Sequence, residues 1–451
     1  MQIQNFRTAG LGDTTYLLTH DGLGVLVDPQ RDIDRFMAAA DEAGVELRWV
    51  LETHLHNDYV SGGRAAATRG GADLVLPAGA VVPFDHVPGF HGEDLAERGL
   101  TVRPLHTPGH TPEHLSYLVL LDGEPVAVFS GGSLLVSSAG RADLLGPDKA
   151  RGLALAQYAS VRRLAALPDE VGLYPTHGEG SFCTSSGAAQ HTSTIGEEKR
   201  SNPVLAYPDA EAFVAGQLDG LLPYPTYYAH MGPVNYAGPE PIPERRVPEL
   251  SVQDMADLDA VVAVVDARPR SRAAAGHLPG SLTVELSDQF GVWVGWLVAF
   301  DRPLVLVVDD DTDVDEALVQ LARIGYDDVR GVFRDLQGWR DAGHDLADYR
   351  LEPLSAFAKL AEESDTQLLD VRDPNEHAAG SLAGAVHRYV PDLVHDGVPA
   401  ALDRDRPVLV ACASGYRAAM AASVLRDAGF APVVLDDAGV PDLLEAGAER
   451  D

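Results

Sequence analysis

Short apolar runs alternate with amphipathic stretches along the whole chain, the pattern of an α/β protein built from several sheets. Residues 14–19 and 24–28 read as early strands of a meander, and residues 34–44 as a helix with Asp34 as its N-cap. Residues 48–53 form an apolar strand that runs straight into histidines, and 115–121 and 126–129 are further strands. Four prolines crowd the stretch from Tyr236 to Pro248, which predicts an extended linker over residues 239–249. Beyond it the pattern repeats after roughly 100 residues. Buried-type strands end in Asp266-Ala267-Arg268 and again in Asp370-Val371-Arg372. Each is followed by a Gly-rich turn, a second apolar run (302–308, then 406–411) and a helical pattern. Strands alternating with helices predict parallel α/β units. The expected division is 1–238, the linker, 250–347 and 348–451.

Composition narrows the function classes. The 451 residues carry 34 Lys+Arg against 68 Asp+Glu, a formal net charge of −34. Such a surface repels phosphate backbones and anionic lipid, so neither nucleic acid nor a membrane is an expected partner. No apolar run reaches the roughly 18 residues of a membrane span, and the N-terminal residues lack the pattern of a signal peptide. The two cysteines, Cys183 and Cys412, make no disulfide framework and suit a reducing compartment, so the expected location is cytoplasmic.

Candidate chemistry begins where residues 48–53 end. In His54-Leu55-His56-Asn57-Asp58, an extended backbone would turn His54, His56 and Asp58 to one side. Thr107-Pro108-Gly109-His110 and Pro175-Thr176-His177-Gly178 add histidines at two more strand-to-loop junctions. These motifs, in this order after Asp28, resemble the metallo-β-lactamase fold over residues 1–238. The wording at 107–117 and 129–135 is most similar to persulfide dioxygenases and glyoxalase II-type hydrolases. The resemblance implies an αββα sandwich with a metal held among His54, His56, Asp58, His110 and His177.

Two positions depart from the family. Tyr59 stands where dinuclear members have a second histidine, and Gly132 where the family has a bridging or iron-binding aspartate. This disfavours a dinuclear hydrolase. The dioxygenases resembled use one Fe(II), held by two histidines and that aspartate. Here His54 and His110 remain, with His56 as the expected third ligand; Asp58, Asp143 or Glu113 are alternative carboxylate donors. Replacing Gly132 by aspartate is expected to raise iron occupancy. Zinc with thioesterase chemistry, and a metal-free scaffold, stay open as alternatives.

The second motif is Cys412-Ala413-Ser414-Gly415-Tyr416-Arg417, after a buried strand and at the start of a helix. Successive backbone N–H groups and a helix N-terminus favour an anionic sulfur there, and Arg417 adds a cation. The pattern Cys-x-x-Gly-x-Arg, with Asp370-Val371-Arg372 upstream, resembles the rhodanese sulfurtransferases over residues 350–451. It implies Cys412 as nucleophile in a loop formed by residues 413–416. Residues 250–347 resemble an inactive rhodanese copy, with Asp309 read at the place of the cysteine.

The expected fold class is therefore a multidomain α/β protein: a metallo-β-lactamase αββα sandwich followed by two rhodanese-like domains. This order resembles fusions of persulfide dioxygenase and sulfurtransferase. The implied substrates are a low-molecular-weight thiol persulfide, O2, sulfite and thiosulfate, and a homo-oligomer is open.

Overall fold

Runs of β-branched, aromatic and leucine residues become two six-stranded sheets in the first half of the protein. The computed structural model describes residues 1–184, 190–243, 246–363 and 365–450. Glu244 and Arg245 of the expected linker lie outside the described residues. The chain forms two compact units. One spans residues 1–244 with 322–325, the other residues 245–321 with 326–451.

In the first unit, β1 (Gln2–Thr8), β2 (Asp13–His20), β3 (Leu23–Val27), β4 (Glu46–Leu51), β5 (Asp73–Pro77) and β6 (Val87–Gly89) follow one another across one sheet. The second sheet joins β7 (Leu95–Glu97), β8 (Leu100–His106), β9 (Leu115–Leu121) and β10 (Glu124–Gly131). A hairpin of β11 (Leu134–Leu135) and β12 (Ser138–Ala139) comes next. Then β13 (Gly172–Pro175) pairs parallel to β10, and β14 (Ser193–Thr194) closes the edge. Inward residues of both sheets, among them Tyr16, Val27, Trp49 and Leu51 against Val102, Tyr117, Val119 and Phe129, make one buried core. Each such side chain contributes about 1.5–3 kcal/mol by burial. Helices Asp34–Glu42 and Gly63–Gly70 cover the outer face of the first sheet, and Pro147–Ala165 that of the second. This is the expected αββα layering. Ile33, not Asp34, occupies the N-cap of the first helix; Asp34 sits inside its first turn, where a carboxylate still complements the helix dipole.

In the second unit, β15 (Ala263–Asp266), β16 (Leu282–Thr283), β17 (Leu304–Val307) and β18 (Val329–Phe333) form a parallel sheet in the order β16-β15-β17-β18. The order returns in a second parallel sheet of β19 (Arg350–Glu352), β20 (Gln367–Asp370), β21 (Val386–His387), β22 (Val408–Ala411) and β23 (Pro432–Leu435), arranged β19-β23-β22-β20-β21. Both β15 and β20 end in the same buried clasp. Arg268 reaches Asp266 and the Gly276 carbonyl, and Arg372 reaches Asp370 and the Gly380 carbonyl.

The strand registers correct one sequence reading. Asp266 pairs with Val307, and its counterpart Asp370 pairs with Ala411. The residue equivalent to Cys412 is therefore buried Val308, and Asp309 is one position further on. The next helix begins at Val314 in the first copy and at Tyr416 in the second, so the first loop is two residues longer. Its Asp309 is paired with Arg272 at 3.3 Å. A cysteine meant to imitate Cys412 belongs at 308, and Val308→Cys is expected to accept no sulfur, because this longer acidic loop lacks the compact turn behind the thiol. Labelling with a thiol persulfide, followed by mass analysis, checks this. No described helix is long and apolar enough to cross a membrane.

Candidate metal centre and cysteine loop

Four histidines of the first unit, His54, His56, His110 and His177, owe their placement to strand ends. β4 delivers Thr53 and His54, the turn after β8 delivers His110, and β13 delivers His177. All four, with Asp58, are buried. Hydrogen bonds on the outer ring nitrogens fix which nitrogen faces inward. Asp28 accepts from the Thr53 hydroxyl at 2.7 Å, so that hydroxyl must in turn accept from His54 Nδ1 at 2.9 Å. His110 Nδ1 donates to the Arg141 carbonyl at 2.8 Å. His56 Nε2 faces Glu52 at 3.1 Å and Asp28 at 3.3 Å. His177 Nδ1 faces Asp13 at 2.8 Å and Asp58 at 3.2 Å. Each outer nitrogen therefore carries the proton. Nε2 of His54 and His110 keep lone pairs, and Nε2 of His177 and Nδ1 of His56 are the nitrogens that must give up a proton to a cation.

Two of those nitrogens, His56 Nδ1 and His110 Nε2, and one carboxylate oxygen, Asp58 Oδ1, are buried and lack any hydrogen-bond partner. Ligand atoms of His54, His110 and His177 lie within 4.8 Å of one another, as do those of His56, Asp58 and His177. Unpartnered buried polar atoms are costly, and convergent ones fit a cation. The two groups share His177, so the five residues form one His/Asp metal-binding cluster. His54 Nε2 and His177 Nε2 stand 3.4 Å apart.

Charge follows burial. Burial and the neighbouring histidines hold His54 well below its ordinary range. Burial and His177 pull His110 down to about 3. His177 also pays for its burial, but Asp58 and Asp13 outweigh this and push it up to about 10. Burial and Asp58 together raise Asp13 to about 8. For His56, burial opposes the charge, while Asp28 and Glu52 favour it strongly enough to lift it well above 6.5.

Several further residues support the cluster, and apart from His114, noted in the sequence on the same turn as His110, the sequence reading did not single them out. His114 takes the Gly132 N–H on Nε2 at 2.9 Å and reaches Thr107 through Nδ1, so both its nitrogens are committed. Gln157 accepts from the His110 N–H at 2.8 Å and donates to the Ser133 carbonyl at 2.7 Å. Asn235 clamps the His56 and Tyr59 carbonyls, each at 2.8 Å, and Tyr227 donates to the Asp58 carbonyl at 3.0 Å. Asp13 sits far from the histidine motifs in sequence; the only signal was a polar residue opening an apolar strand.

The departures at 59 and 132 have structural sequels. The Tyr59 hydroxyl lies 3.0 Å from His56 Nε2 and donates to the Asp28 carbonyl at 3.2 Å, so it buttresses the outer side of His56. At Gly132 a Cβ would lie 2.3 Å from His110 Cδ2. The imidazole occupies the space an aspartate would need. The expectation that Gly132→Asp raises iron occupancy is corrected accordingly. The substitution must displace His110 and is expected to cost about 1–3 kcal/mol as overpacking and to lower metal content, read by thermal melting and elemental analysis. Asp143 is no substitute ligand either, being held by Arg141 at 2.7 and 2.9 Å, and Glu113 accepts the Leu55 N–H. Asp58 is the carboxylate within the cluster.

In the second unit, Gly415 donates its N–H to Cys412 Sγ at 3.2 Å, and Cys412 is buried. Gly415 has φ +84°, and a Cβ there would lie 2.8 Å from the Leu435 carbonyl, so the turn requires glycine. The helix Tyr416–Asp427 starts directly after it, and the Val440 N–H holds the Cys412 carbonyl at 2.8 Å. The Tyr416 hydroxyl donates to the Glu285 carbonyl at 2.8 Å and accepts from Ser287 at 3.0 Å. Arg417 is gripped by both carboxylate oxygens of Glu376, at 2.5 and 2.8 Å. Ala413 and Ser414 complete the loop. The other thiol, Cys183, lies 3.4 Å from Asp58, and burial and that carboxylate push it well above its usual range, which leaves it protonated.

Comparison with known proteins agrees with this architecture. Residues 10–177 match the metallo-beta-lactamase superfamily and residues 354–446 the rhodanese-like domain. A probable metallo-hydrolase of Burkholderia pseudomallei is 29% identical over 242 residues, 45% of this chain and 80% of its own length. A hydroxyacylglutathione hydrolase of Xanthomonas euvesicatoria is 34% identical over 156 residues, 34% of this chain and 56% of that one. The crystal structure of a metallo-beta-lactamase from Staphylococcus aureus superposes with a TM-score of 0.68 at 27% identity, over 74% of this chain and 99% of that chain. The chain spans about half the length of several other curated relatives that it matches.

Proposed function

We propose that this chain, which joins a metallo-β-lactamase domain to a rhodanese-like domain, is an enzyme of sulfane-sulfur metabolism that oxidises a low-molecular-weight thiol persulfide and transfers sulfur through Cys412. The observation that carries the reading is the pairing, on one chain, of a buried His/Asp metal cluster with a cysteine loop whose Gly415 N–H donates to the sulfur. Gly132 and Tyr59 remove the two further ligands of a dinuclear hydrolase, which favours a single metal ion.

His54, His110 and His177 would hold that ion, with His56, the third ligand expected from the sequence, and Asp58 in the adjoining group that shares His177. A ferrous ion there would supply the redox chemistry by which O2 converts a persulfide to sulfite. Around it, Asp28 and Glu52 face the outer nitrogen of His56 and Asp13 that of His177, while Thr53 and the Arg141 carbonyl orient His54 and His110. Gln157 and His114 fix the backbone on which His110 and Gly132 face each other. The burial of the cluster excludes bulk water.

At the second site the Cys412 thiolate attacks the outer sulfur of a persulfide. The donor S–S bond breaks, a new one forms at Cys412, and the electron pair leaves on the donor thiolate. Sulfite can then take the sulfur from Cys412 as thiosulfate, regenerating the thiolate. Residues 250–347 carry no cysteine at the equivalent position and act as a structural copy.

The likeness to a hydroxyacylglutathione hydrolase supports a second reading, zinc-dependent thioester hydrolysis at the same cluster. Assay of anaerobically prepared protein for persulfide-dependent O2 uptake and for thioester hydrolysis separates the two. O2 uptake without hydrolysis is expected, and hydrolysis alone would favour the second.

A further inference from the structure

We infer that Glu376 makes the Cys412 site selective for persulfide donors of low charge and against the thiosulfate dianion. The inference rests on sulfur transfer at Cys412, as proposed above. Arg417 lies in the first turn of the helix that follows the Cys412 loop, and is the cation placed to attract an anionic donor. Yet Glu376 meets it with both carboxylate oxygens, and Asp373 lies 3.9 Å away. Arg417 is mostly buried, its side chain 15% exposed, so this pairing is not washed out by solvent. The other nearby acids, Asp436 and Asp437, share the single cation Arg270 with Glu285, so they add to the negative charge rather than cancel it. Counting Arg417 with Glu376 and Asp373, the surroundings of the thiolate carry a net negative charge.

That charge acts differently on the two donor classes. Thiosulfate brings two negative charges and must release sulfite with two. A persulfide of an uncharged thiol brings at most one and releases one thiolate. The same repulsion therefore weighs more on thiosulfate, both on entry and as the S–S bond breaks.

The substitution Glu376→Gln isolates charge from shape. Glu376 closes a capping box with Asp373 at the start of the helix Pro374–Ala378, a role glutamine also fills, and the amide oxygen can still accept from Arg417. The test measures kcat/KM for loading of Cys412 by thiosulfate and by 2-mercaptoethanol persulfide, followed by intact mass, with a melting curve for each variant. Wild type is expected to prefer the persulfide. Glu376→Gln should raise kcat/KM for thiosulfate by roughly tenfold and change the persulfide value far less. If both donors shift by the same factor, Glu376 is only a structural partner of Arg417 and the inference is overturned. If neither donor loads wild-type Cys412, the sulfurtransferase reading itself fails. Should Glu376→Gln not fold, Asp373→Asn removes the second carboxylate, and the donor ratio must move in the same direction.

Discussion

Cys412→Ser should abolish sulfur acceptance while the protein keeps its fold. A serine is smaller than cysteine by little, so the buried site loses few contacts. Its hydroxyl, however, is a poor nucleophile near neutral pH, and no general base stands in hydrogen-bond contact with Cys412: the described bond to its sulfur is the Gly415 N–H. Removal of the nucleophile should lower the rate by on the order of a thousandfold or more. Intact-mass analysis after exposure to a thiol persulfide should show one added sulfur in wild type and none in the variant. Cys183 cannot take over, because its buried thiol beside Asp58 is held protonated. An adduct persisting in Cys412→Ser and mapping to Cys183 would remove the rhodanese-like loop from the mechanism.

His110→Ala is expected to have the second large effect, on metal content. The imidazole offers a buried Nε2 with no other partner, oriented by the Arg141 carbonyl, and it stacks over Gly132 in place of a side chain. Alanine removes the ligand and leaves a void above the glycine. Metal affinity should fall at least about 100-fold, beyond the usual effect of losing a supporting hydrogen bond. His114→Ala is the matched control. His114 is equally buried and close, with its ring centroid 5.1 Å from that of His54, but both its nitrogens serve Gly132 and Thr107. Its loss should lower stability and weaken metal binding only modestly. Equal metal retention in the two variants would mean that the free lone pair on His110 has no ligand role.

The sequence showed where the metal cluster would form, because its ligands cluster in short motifs at strand ends. Apolar runs likewise showed the repeat in the second unit, whereas the αββα layers were implied by the resemblance that the histidine motifs carry. What escaped was set by distant packing. Asp13, Gln157, Tyr227 and Asn235 reach the site from elements far along the chain, and no local pattern marks them. The reading of Asp309 for Cys412 failed by one residue, because an acidic loop looked like the start of the turn, whereas strand pairing places Val308 there. The consequence of Gly132 was likewise hidden. A missing carboxylate is visible in a sequence, but the imidazole that has moved into its space is not.

Elemental analysis of protein purified without oxygen, with O2 uptake measured on the same sample after addition of a thiol persulfide, tests the account most directly. One iron per chain with persulfide-dependent O2 consumption is the predicted result. Zinc with thioester hydrolysis, or no metal retained by a folded protein whose Cys412 still accepts sulfur, would contradict it.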